Sequence, residues 1–276
     1  MTDSNAALVL GASGGLAQAI IAELSADSEI ETVIAVSRKP APGSASVPDP
    51  AANAASTTNA LMWIETEYAE PAMAAVVEQL QPFAGRITRV VICHGILHSD
   101  TLWPEKRLED INADSLQTVF QANTVVPVLW LKLLHRVLKG QQRCVVAALS
   151  ARVGSIGDNH LGGWYAYRSS KASLNMLLRT LAIEYARRVK NVKMISFHPG
   201  TTDTALSKPF QASVPADKLF TPEFVAERLC GIMTDAEIDG QLSYLDWDNK
   251  AIAWKVRDNC YTSRHSRSRP YSGARQ

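Results

Sequence analysis

Tyr167 and Lys171 are the residues whose types and spacing best fit proton-transfer chemistry. They lie four apart in Tyr167-Arg168-Ser169-Ser170-Lys171, a stretch of helical character, so they share one helix face. A phenol that hands a proton to a carbonyl oxygen needs its pKa brought towards neutrality, and an ammonium one turn away favours the phenolate. Alone the spacing is weak, because a chain with 7 tyrosines meets such a pair by chance, and a surface Tyr/Lys pair is the plain alternative. Context must decide.

A second constellation lies near the start. The apolar run Ala7 to Leu10 passes into Gly11-Ala12-Ser13-Gly14-Gly15-Leu16-Ala17, followed by Leu16, Ala19, Ile20 and Leu24 at helical spacing. Glycine lets backbone turn tightly and approach a phosphate, and the N–H groups and dipole at a helix N-terminus favour negative charge. Gly11, Ser13, Gly14, Gly15 and Leu16 are therefore candidates for holding a pyrophosphate. The spacing is G-x-x-x-G-x-A, not the G-x-G-x-x-G of the familiar dinucleotide fingerprint. The next apolar run ends Val36-Ser37-Arg38, without the acid that holds unphosphorylated ribose hydroxyls. Arg38, with Lys39 after it, offers a charged fork to a 2′-phosphate. This pattern points to NADP(H) over NAD(H).

Both constellations need a frame. Seven short apolar runs alternate with helical patterns: Ala7 to Leu10, Thr32 to Val36, Leu61 to Ile64, Val90 to Cys93, Cys144 to Leu149, Val192 to Phe197 and Gln241 to Leu245. Strands of continuous apolar character are buried on both faces, and repeated β-α units make a parallel sheet. The expected fold is α/β: a single Rossmann-type doubly wound parallel sheet of about seven strands with helices on both faces. Asn112 to Lys139 reads as one long helix kinked by Pro127. Thr221-Pro222 reads as an N-cap and first helical residue. Pro40 to Ala60, rich in Ala, Pro and Ser, reads as a long surface loop.

Composition narrows the function classes. The 276 residues, 46% hydrophobic with 28 basic and 27 acidic side chains, describe a globular chain whose net charge predicts no partner. The longest apolar stretch, Val125 to Leu131, is far short of a membrane span and contains Pro127. No signal peptide is read at Met1-Thr2-Asp3-Ser4-Asn5, so the expectation is a cytoplasmic protein with no membrane partner. Cys93, Cys144, Cys230 and Cys260 lack C-x-x-C spacing and read as reduced thiols. One domain is expected over residues 1–254, then a basic tail over 255–276 with six Lys/Arg and one acid, Asp258. That tail reads as a solvated, disordered terminus, so no nucleic acid partner is expected.

In order, Gly11-x-x-x-Gly15-x-Ala17, Cys93-His94-Gly95, Asn123, Ser150, Tyr167-x-x-x-Lys171 and Pro199-Gly200-Thr201-Thr202-Asp203-Thr204 resemble the short-chain dehydrogenase/reductase family from Leu8 to about Trp254. Gly154-Ser155-Ile156 and Gly162-Gly163-Trp164-Tyr165-Ala166-Tyr167-Arg168 look most like its sniffer-type carbonyl reductases and C-factor cell-signalling proteins. The resemblance implies Tyr167 as proton donor and Lys171 as the group that lowers its pKa and binds the nicotinamide ribose. It implies Ser150 holding the substrate carbonyl and Asn123 positioning a water in a proton relay. Pro199, Gly200, Thr202 and Thr204 would lie along the nicotinamide, Glu65 and Thr66 would face the adenine, and Ser37 and Gly95 would border the cofactor. It also implies strand order 3-2-1-4-5-6-7, a small carbonyl or alcohol substrate, and a homodimer or homotetramer.

Three positions depart from the family. Its Asn-Asn-Ala-Gly after the fourth strand reads Ile92-Cys93-His94-Gly95, so only Gly95 transfers cleanly. The third glycine of the turn is Ala17. The catalytic serine, thirteen residues before the tyrosine in the family, falls on Gly154, which leaves Ser150 and Ser155 as candidates, Ser150 favoured because it leaves a rigid strand. His94 and His98 have chelating spacing but straddle Gly95 without a third ligand, so no metal is expected. Asp203 reads as a turn-ordering residue. Two functions compete: an oxidoreductase moving hydride between nicotinamide and a carbonyl, or a nucleotide-binding regulatory protein of C-factor type with little turnover.

Overall fold

The computed structural model describes residues 5–42 and 60–254. Most of the Ala/Pro/Ser-rich segment and the whole basic tail lie outside the described residues. The seven apolar runs form β1 Asn5–Leu10, β2 Ile30–Ser37, β3 Ala60–Glu65, β4 Ile87–Ile92, β5 Cys144–Leu149, β6 Val192–His198 and β7 Leu242–Asp246. Every neighbouring pair runs parallel, in the order β3-β2-β1-β4-β5-β6-β7. This is the expected order.

Parallel pairing requires crossovers, and the crossover helices cover both faces. On one face Leu8, Leu10 and Val90 pack with helices α2 Glu70–Gln79, α4 Val126–Leu138 and α5 Tyr165–Arg188 through Met73, Trp130, Leu134 and Leu178. On the other face Ala7, Val9 and Val91 pack with α1 Gly15–Ala26 and α6 Pro222–Asp235 through Ile20, Leu24, Val225 and Leu229. Side chains of successive strand residues point to opposite faces, so one unbroken apolar run serves both layers. The N-cap of α6 is as read: Thr221 Oγ1 accepts the Phe224 N–H at 3.2 Å, with Pro222 at the first helical position.

The helix expected from Asn112 to Lys139 is not one uniform helix. It starts as α3 Ala113–Phe120, widens into a π-helical turn at Gln121–Val125, and continues as α4. Pro127 has no N–H for the Asn123 carbonyl four residues back, and the wider turn absorbs that missing donor before the proline. The sequence pattern marks the proline but not the form of the break. The π turn also carries Asn123, so the irregularity falls on a candidate site residue.

Trp130 is fully buried, and its indole Nε1 has no hydrogen-bond partner among the described residues. Its contribution is therefore packing. Trp130→Ala should cost about 3–5 kcal/mol in urea unfolding, and Trp130→Phe clearly less, because the cavity is smaller and no hydrogen bond is lost. Equal costs for the two variants would contradict this reading.

Candidate active site

The carboxyl ends of the central strands open onto one crevice, where α/β sheets of this topology hold ligands. At the end of β1, Gly11 has φ +79°, and a Cβ there would sit 3.1 Å from the His94 backbone nitrogen. Among the described residues no side chain caps α1 at Gly14, no acid stands in its first turn, and Ser13, Gly14 and Gly15 are exposed. The helix thus presents unpaired N–H groups and its positive dipole end to the crevice. Leu16 is buried and anchors the turn from below.

Beside this turn, Ser37 is buried, and its Oγ accepts the Lys39 N–H at 3.0 Å. Arg38 is exposed, with its guanidinium 5.1 Å from the Tyr68 ring centroid. The Thr66 N–H donates to the Ser37 carbonyl at 2.9 Å, which fixes the end of β3 against β2, and Glu65 stands exposed there.

The chemical centre is built on α5. Lys171 is 2% exposed, and its Nζ donates to the Leu149 carbonyl at the end of β5 at 2.8 Å. The same Nζ is 5.9 Å from the centre of the Tyr167 ring. Gly95 passes over this group: a Cβ there would lie 3.4 Å from Lys171 Nζ and 3.6 Å from Asn123 Oδ1. Asn123 is fully buried and clamps the chain leaving β4, accepting the Ile96 N–H at 2.6 Å and donating to the Ile96 carbonyl at 3.0 Å. It also donates to Ser170 Oγ at 3.0 Å, which ties the π turn to α5. The structure brings Tyr167, Lys171, Asn123 and Gly95 together.

Burial governs the titration of this group. It pushes the Lys171 ammonium down to about 8, and it pushes the Tyr167 phenol up to about 12, with Tyr244 acting in the same direction. The drop towards neutrality expected for Tyr167 from spacing alone is outweighed by desolvation. A phenol in this setting stays protonated at ordinary pH, as a proton donor must.

The two candidate serines do not aim at Tyr167. Ser150 Oγ donates to Asn175 Oδ1 at 2.7 Å, and Ser196 Oγ donates to the same oxygen at 2.7 Å. Ser155 Oγ donates to the Ala253 carbonyl. Gly154 faces α5 so closely that a Cβ would stand 2.9 Å from the Lys171 carbonyl carbon. Glycine here lets the loop pack on the helix that carries the lysine.

After β6, Gly200 has φ +72°, and a Cβ would overlap the Phe220 ring at 2.6 Å. Thr201–Thr202 pairs with Leu219–Phe220, and Thr202 Oγ1 turns back to the Pro199 carbonyl at 3.4 Å. Thr204 borders the glycine turn: a Cβ on Gly15 would meet its Cγ2 at 3.5 Å. The Pro199–Thr204 loop and the glycine turn therefore form two sides of one crevice. Asp203 accepts from Gln211 Nε2 at 2.9 Å, in keeping with a turn-ordering role.

Sequence reasoning missed Glu105. It is 3% exposed, and both carboxylate oxygens accept the Ala166 N–H at 3.1–3.3 Å, capping the start of α5 one residue before Tyr167. Its backbone carbonyl also accepts the N–H of Trp164, a non-glycine residue at φ +52°. Trp164 stands edge-on to Tyr167, with 6.2 Å between ring centres, and continues to Phe210 at 5.1 Å and from there to Trp103 at 6.1 Å. No periodicity links Glu105 to Ala166 across 61 residues. Among the described residues, no three His, Cys, Asp or Glu side chains form a metal cluster.

Comparison with known proteins bears on the family and the fold. Residues 5–214 match the family described as short chain dehydrogenase. A benzil reductase ((S)-benzoin forming) of Bacillus subtilis (strain 168) is 30% identical over 155 residues, covering 50% of this chain and 62% of that protein. The C-signal protein of Myxococcus xanthus is 32% identical over 112 residues, covering 40% of this chain and 64% of that one. The matched stretches thus span less than two thirds of these relatives' lengths. Among solved structures, the carbonyl reductase Sniffer of D. melanogaster superposes with a TM-score of 0.71 at 19% identity, covering 91% of this chain and 99% of that one. The NADPH-bound carbonyl reductase from chicken fatty liver gives 0.69 at 21% identity, covering 91% and 99%. These structural likenesses speak for the fold, and the family match adds the sequence: the chain belongs to the short-chain dehydrogenase family.

Proposed function

We propose that this protein is an NADPH-dependent carbonyl reductase in which Tyr167 donates the proton. The observation that carries the reading is the buried Lys171 ammonium, held by the Leu149 carbonyl between Gly95 and the Tyr167 ring. A surface Tyr/Lys pair would have no reason to bury the ammonium. The exposed, uncapped start of α1 and the side-chain-free floor at Gly95 fit a dinucleotide laid across the crevice. Gly11, Ser13, Gly14 and Gly15 would hold its pyrophosphate, Ser37 and Arg38 its adenosine phosphate, Glu65 and Thr66 its adenine, and Pro199, Gly200, Thr202 and Thr204 its nicotinamide. When bound, the nicotinamide supplies or accepts the hydride at its C4.

The chain's own residues would handle the proton. Tyr167 Oη donates to the carbonyl oxygen as negative charge develops there, and the Lys171 ammonium stabilises the resulting phenolate. Lys171 also offers its remaining N–H bonds to the nicotinamide ribose. Asn123, on the π turn, is proposed to position a water that returns a proton to the lysine. Ser150 is proposed to act through the end of β5, since its own hydroxyl is engaged by Asn175.

The aromatic row beginning at Trp164 supports a carbonyl compound with an aromatic or bulky apolar group, stacked beside Tyr167. The benzil reductase among the relatives fits that choice. Met176 and Ile183 stand exposed on α5, seven residues apart on one face, and support a homodimer or homotetramer. The engagement of both Ser150 and Ser155 favours one second reading, a nucleotide-binding regulatory protein of the kind represented by the C-signal relative. Turnover separates the two.

Tyr167→Phe should bind NADPH as the native protein does and lose nearly all turnover in an assay of NADPH absorbance. Near-native turnover would refute the proton-donor role. Carbonyl reduction should have a level kcat/KM at low pH and fall as pH rises through about 8, where Lys171 loses its charge while Tyr167 keeps its proton. A profile still level at pH about 10 would remove Lys171 from the mechanism. Arg38→Asp should erase or invert the NADPH preference, a change of about ten- to hundredfold in affinity. Native binding of NADH as tight as NADPH would show that Arg38 does not read the phosphate.

A further inference from the structure

Glu105 is 3% exposed, and among the described residues no Lys or Arg forms an ion pair with it. A buried carboxylate without a counter-ion is costly unless hydrogen bonds hold it. Those bonds go to the start of α5, where both oxygens accept the Ala166 N–H, at 3.3 and 3.1 Å. Ala166 is the second residue of the helix, and the N–H at that position is ordinarily taken by a Ser, Thr, Asp or Asn side chain at the N-cap. Trp164 holds the N-cap instead, and an indole has no acceptor to offer. The cap comes from a residue 61 positions away.

The backbone around the cap is held in an uncommon form. Gly162, Gly163 and Trp164 have φ of +65°, +65° and +52°, a region in which a bulky side chain is strained. The Glu105 carbonyl accepts the Trp164 N–H, and Arg168 Nε donates to the Gly162 and Gly163 carbonyls at 3.1 and 3.0 Å. A local Ser or Asn would start the helix without burying a charge, so starting a helix does not by itself account for this arrangement. What it adds is placement. Trp164 is turned edge-on to both Tyr167 and Phe210, and Tyr167 lies in the first turn of α5, where an uncapped helix frays.

We propose that Glu105 is a positioning residue for proton transfer. Its carboxylate fixes the first turn of α5 and its carbonyl fixes Trp164, so that the Tyr167 hydroxyl is held where a substrate oxygen is to be protonated. This rests on the reductase reading above and adds to it a residue that acts through Tyr167. A shift of about 1 Å at a reacting atom lowers a rate about a hundredfold, so the cap acts on kcat. The hydrogen bonds of Glu105 go to neither the glycine turn nor Arg38, so cofactor affinity stands apart from it.

The test compares Glu105→Gln with Glu105→Met in the full chain, two side chains of similar length of which only Gln keeps an oxygen acceptor. With NADPH and an aryl ketone that the native protein reduces, Glu105→Met should lower kcat about ten- to hundredfold while NADPH affinity stays within about twofold of native. Glu105→Gln should recover most of that loss. A merely structural role would reduce the number of NADPH-binding sites and leave kcat per site unchanged. In the native protein the Ala166 amide should exchange its hydrogen slowly, whereas an unbonded N–H in a first helical turn exchanges fast. This readout needs no variant to fold. Equal kcat per site in the two variants, or fast exchange at Ala166 in the native chain, would overturn the proposal while leaving the reductase reading in place. Absence of turnover by the native protein across a broad panel of carbonyl compounds would overturn the reductase reading itself.

Discussion

A charge taken out of water has to be held, and here the one that matters is the Lys171 ammonium. Its hydrogen bond to the Leu149 carbonyl joins α5 to the end of a central strand. An unpaired buried ammonium would be costly, so the surroundings must keep the lysine, the strand end and the overlying Gly95 in one arrangement. Gly154 contributes by letting its loop approach the helix backbone. Asn123 contributes from the other side, clamping the exit of β4 and reaching Ser170 on the same helix. Glu105 sets the start of that helix, where its carboxylate meets the positive end of the helix dipole.

Preorganisation at this depth shapes the chemistry. Desolvation lowers the lysine to about 8 and raises the tyrosine to about 12, so burial drives apart two groups that titrate close together in water. In the proposed reaction such a pair would hold its proton on the phenol until charge develops on a bound oxygen beside it, when the ammonium would stabilise the phenolate left behind. The same burial keeps the His94 imidazole neutral at ordinary pH.

Much of this was legible in the sequence because it is local. The seven apolar runs, the helix marked by Leu16, Ala19, Ile20 and Leu24, and the Thr221-Pro222 start each depend on residues a few positions apart. The gathering of Tyr167, Lys171, Asn123 and Gly95 was legible through the ordered motifs. What escaped depends on contacts between distant segments. Ser150 reads as a free hydroxyl at a strand end until α5 places Asn175 against it. Glu105 has no motif around it and acquires its role only when the loop folds onto Ala166. The π turn at Gln121–Val125 follows from how the chain relieves Pro127, and sequence spacing shows the proline without showing the relief.

Hydride transfer to a carbonyl is what separates the proposed reductase from a nucleotide-binding protein without turnover. Its most direct test is product analysis with NADPH carrying deuterium at C4, using benzil or a related aryl ketone as substrate. The account predicts loss of NADPH absorbance and deuterium on the carbinol carbon of the product, delivered from one face of the nicotinamide. Saturable NADPH binding with no deuterium in any product across a broad panel of carbonyl compounds would contradict it.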